Sequence, residues 1–444
     1  MGRETGSTSS TGAGAVEVIQ TGAAEMLQTG EMEAKWTGDV GVMWKTVSED
    51  CNLACDYCYY STCGGKPGGV SRRIGTTMLE AMIRQIMNRN RQVASFAWQG
   101  GEPLLAGLDF FEEAVTLQRK YARPQTVIVN SVQTNGTLIT GEWAAFFKKH
   151  GFLVGVSLDG PEEIHDARRV YSSGSGSFRQ VMRGIRHLQE QRVEFNILTV
   201  VHEGNVGRGP EMLRFFAEQD FHFIQFIPGM DFRAQQPDLP PQFLITPEEY
   251  GHFLCGVFDY WYNDGRPVIS ERFFDNLLAQ HVGYPSSSCV HGEACSNMLV
   301  LEAGGEAYPC DFYMNGSYQL GNAGTDSLDG LLESPAYRQF APLKQTVPES
   351  CSACEYFRFC HGGCPRNREW SRNGAALQPD VFCESYRRVF RYSYERMESF
   401  ARYWRKERTE EWLRRGRRLP GRNDSCLCGS GRKYKKCCEG ILSS

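Results

Sequence analysis

With 444 residues, of which 41% are hydrophobic and 23% charged, the chain is long enough for one large domain with smaller modules attached, and its composition is that of a globular protein. Its 48 Lys and Arg nearly balance 52 Asp and Glu, for a net charge of -4, which argues against a globally basic nucleic-acid-binding surface. No apolar run approaches the roughly 18 residues that a membrane-spanning helix requires. Met1 to Gly41 contains no basic stretch followed by an apolar one, so no secretory signal is read there and a cytoplasmic location is expected. In a reducing compartment, 17 cysteines point to metal ligation, not to a disulfide scaffold.

Residues 1–39 are rich in Gly, Ser, Thr and Glu and read as a disordered tail. From Val40 onward, short β-prone runs (Val42–Trp44, Ala94–Trp98, Val127–Val129, Val154–Leu158, Phe195–Val201 and Phe223–Ile227) alternate with amphipathic segments (Thr77–Arg89, Phe110–Tyr121, Gly141–His150, Phe178–Gln191 and Gly209–Asp220). This βα repeat over 40–232 predicts a parallel barrel, complete or partial, with its chemistry on the loops at the C-terminal strand ends. A proline-rich linker and a helix over Pro247–Tyr262 fill 233–284; residues 285–385 are rich in Cys and Gly. A polar, basic helix over 386–419 leads to a terminal segment, 420–444, dense in Cys, Gly and Lys.

Directly after the first predicted strand comes Cys51-Asn-Leu-Ala-Cys55-Asp-Tyr-Cys58. Three thiolates in one loop can hold three irons of a [4Fe-4S] cube and leave the fourth iron open. On spacing alone, a structural zinc loop completed by a residue such as Cys63 is the alternative. Trp98-Gln99-Gly100-Gly101-Glu102-Pro103 follows the second strand, where paired glycines allow positive φ and close backbone approach. Gln133-Thr134-Asn135-Gly136 ends the third strand and Ser157-Leu158-Asp159-Gly160 the fourth; taken singly, each also reads as turn chemistry. Together these segments resemble the radical S-adenosylmethionine (radical SAM) superfamily. The resemblance implies an α/β fold with a partial (β/α)6 barrel, and S-adenosylmethionine chelating the open iron. It further implies that Gly100, Gly101 and Glu102 meet the cofactor's amino group, that Ser157 meets its carboxylate or ribose, and that Arg169 is a further partner.

Eight more cysteines follow: Cys289, Cys295, Cys310, Cys351, Cys354, Cys360, Cys364 and Cys383, enough for two fully ligated [4Fe-4S] clusters. Zinc is the alternative for such a set. Their order resembles the SPASM extension of radical SAM enzymes. That resemblance implies three [4Fe-4S] clusters in all and an interleaved ligation, with Cys289, Cys295, Cys310 and Cys364 at the inner auxiliary cluster and Cys351, Cys354, Cys360 and Cys383 at the outer one. Asp311, next to Cys310, sits where a carboxylate can take a proton as an electron leaves for iron, although an Asp in a turn is also an ordinary capping residue. In this context Cys310-Asp311 resembles the catalytic base of the anaerobic sulfatase-maturating enzymes, which oxidise a Cys or Ser of a sulfatase precursor to formylglycine. Tyr60 and Gln99 match residues that lie beside substrate and cofactor in that family, or they are packing residues. The family also implies a reduced flavodoxin or ferredoxin type of electron donor, and a monomer is expected. A SPASM enzyme that cross-links a ribosomally made peptide would share every cluster ligand, and a non-catalytic iron-sulfur or zinc interaction protein is the reading from another class.

The last constellation, Cys426-Leu-Cys428 followed after eight residues by Cys437-Cys438, is a compact four-thiolate set suited to tetrahedral zinc. It resembles the SEC-C motif. Between Arg402 and Lys436, 13 Lys or Arg stand against 4 Asp or Glu, a local excess that suits an acidic partner or a solvated tail. Cys63 and Cys255 are left over as free thiols.

Overall fold

Apolar runs that alternate with amphipathic helices form a parallel sheet: β1 (Gly41–Lys45), β2 (Val93–Gln99), β3 (Val127–Thr134), β4 (Leu153–Ser157), β5 (Phe195–Val201) and β6 (Phe223–Pro228). They pair in sequence order, each parallel to the next. The helices between them are α1 (Thr76–Arg89), α2 (Leu108–Tyr121), α3 (Gly141–His150), α4 (Phe178–Glu190) and α5 (Gly209–Glu218). Each buries one stripe; on α1 it is Leu79, Met82, Ile83, Ile86 and Met87, the three-and-four spacing of a helix laid on a sheet. This computed structural model describes residues 38–58, 72–231, 242–370, 377–416, 418–427 and 432–439. The expected tail up to residue 37, Tyr60, Cys63 and Cys428 lie outside the described residues.

Six strands are not the whole sheet. Short β7 (Ser270–Glu271) extends it beyond β6 in parallel. On the other side β8 (Met298–Leu301) runs parallel to β1, followed by antiparallel β9 (Glu306–Tyr308) and β10 (Gly321–Asn322). The order is β10-β9-β8-β1-β2-β3-β4-β5-β6-β7, with no pairing of its outer strands among the described residues. The partial α/β barrel expected from the repeat is thus continuous with the Cys-rich segment, which contributes strands of its own where little periodicity was legible.

The basic helix starts and ends a few residues earlier than expected and is less solvated than its charge suggests. α8 (Cys383–Arg414) buries a seam of Tyr386, Val389, Phe390, Met397, Phe400, Ala401 and Trp404 and packs on α6 (Pro247–Tyr262) and α7 (Arg272–Val282). Its arginines occupy the other faces: Arg396 pairs with Asp259 at 2.7 Å and covers the Phe258 ring. Among the described residues no helix is long and apolar enough to cross a membrane.

Candidate active site at the C-terminal strand ends

Because β1 to β6 are parallel, their C-terminal ends share one edge, and the loops carrying the motifs meet there. The loop after β2 lies against the one after β1: Gly101 N–H donates to the Ser48 carbonyl at 2.6 Å and Glu102 N–H to that of Asp50 at 2.8 Å. Gly100 has φ +128°, and a Cβ on Gly101 would fall 2.0 Å from the Asp50 carbonyl oxygen. The close approach that requires glycine is therefore between two loops of the chain itself. Glu102 is fully buried and its oxygens receive Leu104 N–H, Thr134 Oγ1 and Asn135 N–H at 3.0, 2.8 and 2.7 Å. Burial pushes its carboxyl up to about 7 despite those donors, so the side chain braces the ends of β2 and β3.

The third strand end reaches the cysteine loop. Asn135 Nδ2 lies 3.7 Å from Cys51 Sγ and donates to Asn52 Oδ1 at 2.8 Å, and Leu53 N–H points at the same sulfur at 3.4 Å. At the fourth strand end, Ser157 Oγ accepts from Gln133 Nε2 at 3.1 Å. Arg169 is held by Asp159, Nε–Oδ2 2.8 Å and Nη2–Oδ1 3.2 Å, and lies 5.4 Å from the centroid of the Tyr57 ring. The Tyr57 hydroxyl donates to Asp159 Oδ2, the oxygen that also accepts from Arg169 Nε. Sequence reasoning named Arg169 but missed Tyr57 and the Asp159 pairing; the signal was an aromatic placed inside the cysteine motif, immediately before Cys58.

The later cysteines fall into two groups. Burial first pushes ionisation up in each: Cys295, at about 12, then responds to Cys364 and Cys289, and Cys310 to the Asp311 carboxylate and then to Cys364 and Cys289. Cys383, also pushed up to about 12, responds to Cys351 and Cys360, and Cys360 to Cys351 and Cys354. The second group lines a cavity of about 530 Å³ that contains Cys351, Cys354, Cys360 and Cys383. Cys51 is likewise raised to about 12 by burial and by Glu102, and Cys55 beyond the usual thiol range by burial. Thiols so buried become thiolates only with a cation among them, which is the condition an iron-sulfur cluster meets. The donor sets therefore fit the clusters. Near the C-terminus the sulfurs of Cys426, Cys437 and Cys438 lie within 4.8 Å of one another, a fit for a thiophilic ion.

Asp311 stands between the constellations. Its Oδ1 is 3.8 Å from Cys310 Sγ and its Oδ2 is 3.8 Å from Nζ of Lys45, the last residue of β1. Lys45 is wholly buried and donates to Gln99 Oε1 at 3.4 Å. No motif contained Lys45; the available signal was a charged residue closing an otherwise apolar parallel strand at the end where the loops gather.

The family description Radical SAM superfamily matches residues 46–216, iron-sulfur cluster-binding domain (SPASM) residues 289–355, and SEC-C motif residues 422–440. The cysteine-type anaerobic sulfatase-maturating enzyme of Clostridium perfringens (strain ATCC 13124) is 38% identical over 359 residues, which are 80% of this chain and 96% of that one. The chain belongs to the anaerobic sulfatase-maturating enzymes. The serine-type anaerobic sulfatase-maturating enzyme of Bacteroides thetaiotaomicron is 35% identical over 369 residues, 79% of this chain and 88% of its own. Among solved structures, native anSMEcpe with bound AdoMet superposes with a TM-score of 0.74 at 38% identity, covering 81% of this chain and 98% of that one. Streptococcus suis SuiB bound to S-adenosylmethionine, at 15% identity and a TM-score of 0.55 over 78% of each chain, shares the fold. This anaerobic sulfatase-maturating enzyme is thus a radical SAM enzyme, and its two matched iron-sulfur families imply [4Fe-4S] clusters and S-adenosylmethionine as its cofactors.

Proposed function

We propose that the chain oxidises a Cys or Ser side chain of a sulfatase precursor to formylglycine, with the strand-end loops as its reaction site. The observation that carries this reading is Asp311, placed beside Cys310 of one cysteine group and within 3.8 Å of a lysine on the strand that leads into the other. Cys51, Cys55 and Cys58 would hold the cluster with the open iron. Cys289, Cys295, Cys310 and Cys364 would hold the inner auxiliary cluster, and Cys351, Cys354, Cys360 and Cys383 the outer one, three clusters in all. When bound, these groups and S-adenosylmethionine supply hydrogen-atom abstraction from an unactivated carbon and an outlet for electrons.

The chain's own residues do the rest. Asn135 holds Cys51 Sγ and Asn52 in place; the backbone of Gly100, Gly101 and Glu102, with Ser157 and Arg169, lines the cofactor's seat. Asp311 takes the proton of the substrate thiol or hydroxyl, with Gln99 beside it; Tyr60, by its match to the family, would be a further substrate or cofactor contact. Fixed placement of acceptor and substrate is what makes proton removal efficient. Cys426, Cys428, Cys437 and Cys438 would bind zinc as a structural module. A reduced flavodoxin or ferredoxin type of donor, a monomeric state and a cytoplasmic setting complete the reading.

The test is an anaerobic assay of the reconstituted full chain with two peptides, one containing Cys-x-Pro-x-Arg and the other Ser-x-Ala-x-Arg, followed by mass spectrometry. Formation of an aldehyde in either peptide supports the reading. Cofactor cleavage with both peptides unchanged would leave the chain a different kind of radical SAM enzyme, a thioether-forming peptide maturase being the alternative to test next.

A further inference from the structure

Lys45 is an expensive residue to bury. Its side chain is 0% exposed at the end of a central strand, where burial disfavours a charge unless partners surround it. The groups around it come from four places: Gln99 at the end of β2, Glu302 just after β8, Cys310 and Asp311 on the loop after β9, and Cys58 in the first cysteine loop. The parallel register of β1 and β2 sets Lys45 directly beside Gln99. Protonated Lys45 has only donors, and Gln99 presents its amide oxygen to it at 3.4 Å. The amide nitrogen diverges from that oxygen, and the Gln99 NH2 is consequently presented away from Lys45.

We propose that Lys45 is a positioning residue for the oxidation: it fixes the Gln99 amide with its NH2 toward the substrate and holds the Asp311 carboxylate beside it. The inference rests on the function proposed above. A substrate thiol or hydroxyl has lone pairs to receive a hydrogen bond and one proton to give. Gln99 NH2 answers the first, and Asp311, which takes that proton from sulfur or oxygen, the second. With the amide turned over, its oxygen would meet the substrate's lone pairs and compete with Asp311 for the proton. The lysine thus converts an ambiguous amide into a donor.

The test compares the wild-type holoenzyme with Lys45→Met, which keeps the length of the side chain and removes its donors. Readouts are oxidised peptide per 5'-deoxyadenosine formed, the kcat and KM for peptide, iron content and melting temperature. The expected result is a fall in product per cofactor cleaved of about tenfold or more, carried mainly by kcat, at wild-type iron content. An unchanged ratio overturns the proposal, as does a parallel loss of both products, which marks a merely structural role. If Lys45→Met fails to fold, Gln99→Glu decides: it keeps an oxygen toward Lys45 but removes the outward N–H, and the same fall in ratio is expected, whereas a wild-type ratio overturns the proposal. Should wild type itself oxidise neither peptide, the functional reading falls and this one with it; a working wild type beside an unaffected variant sinks the lysine's role alone.

Discussion

The carbonyl oxygen of Asp50 occupies the place where a side chain on Gly101 would begin, 2.0 Å from its ideal Cβ position. The cysteine loop and the loop after β2 therefore touch backbone to backbone. Replacing Gly101 with Ala must push the Ser48–Asp50 turn, and with it Cys51, out of position, at a cost of about 1 to 3 kcal/mol. Gly101→Ala should lower iron retention at the first cysteine loop and cofactor cleavage together. Gly75→Ala, where nothing lies within 4 Å of the added carbon, is the control and should do neither.

Asp311→Asn preserves the size and the turn beside Cys310 but removes the proton acceptor. Cofactor cleavage should persist while peptide oxidation falls about 10²- to 10⁴-fold. Quantifying 5'-deoxyadenosine and aldehyde in one reaction checks this; equal yields of aldehyde from variant and wild type would refute Asp311 as the base.

Glu271, on β7, is almost fully buried and accepts from Phe274 N–H at 3.1 Å to cap α7. Burial pushes its carboxyl up to about 8, well above the ordinary value near 4.5. The folded state therefore binds this proton more tightly than the unfolded chain, and the group's contribution is fully present below about pH 4.5 and is lost as pH rises through about 8. Glu271→Gln removes that dependence. Its melting temperature relative to wild type should rise between pH 5 and pH 8.5 by roughly 2 to 4 °C for each kcal/mol recovered. A constant difference across that range would show that Glu271 is not held protonated.

The terminal cysteines offer a test of metal identity. Cys438→Ser in the full chain should cost one equivalent of zinc and no iron, because Cys438 clusters with Cys426 and Cys437, none of which is among the cysteines proposed to hold the three clusters. Elemental analysis after anaerobic purification measures both. Loss of iron in place of zinc would reassign the module.

The strand-end motifs were legible because each is contiguous: Gly-Gly-Glu-Pro and Asn-Gly follow their strands at once, CxxxCxxC follows β1 after a five-residue turn, and the βα alternation fixes which edge they share. What the sequence hid is long-range. Lys45 and Asp311 are brought together because β8 pairs with β1, and Met298–Leu301 is too short a run to announce that partner. The seam of α8 was hidden differently, its spaced aromatics diluted by arginines that lie along the outer faces. Arg169 stood out as a basic residue near a cofactor motif, yet its bidentate bond to Asp159 depends on a turn whose geometry only the folded chain reveals.

The pairing of β8 with β1 along four residues also bears on electron flow. A module hung on a flexible tether would sample many separations from its neighbour, and tunnelling rates would vary with each. Here β8 lies beside β1 in the sheet, and Cys310 follows β9, the antiparallel neighbour of β8, so one sheet carries both the strand that leads to Cys51 and the strand that leads to Cys310. Separating β8 from β1 to admit a polypeptide would break the four-residue parallel pairing between them.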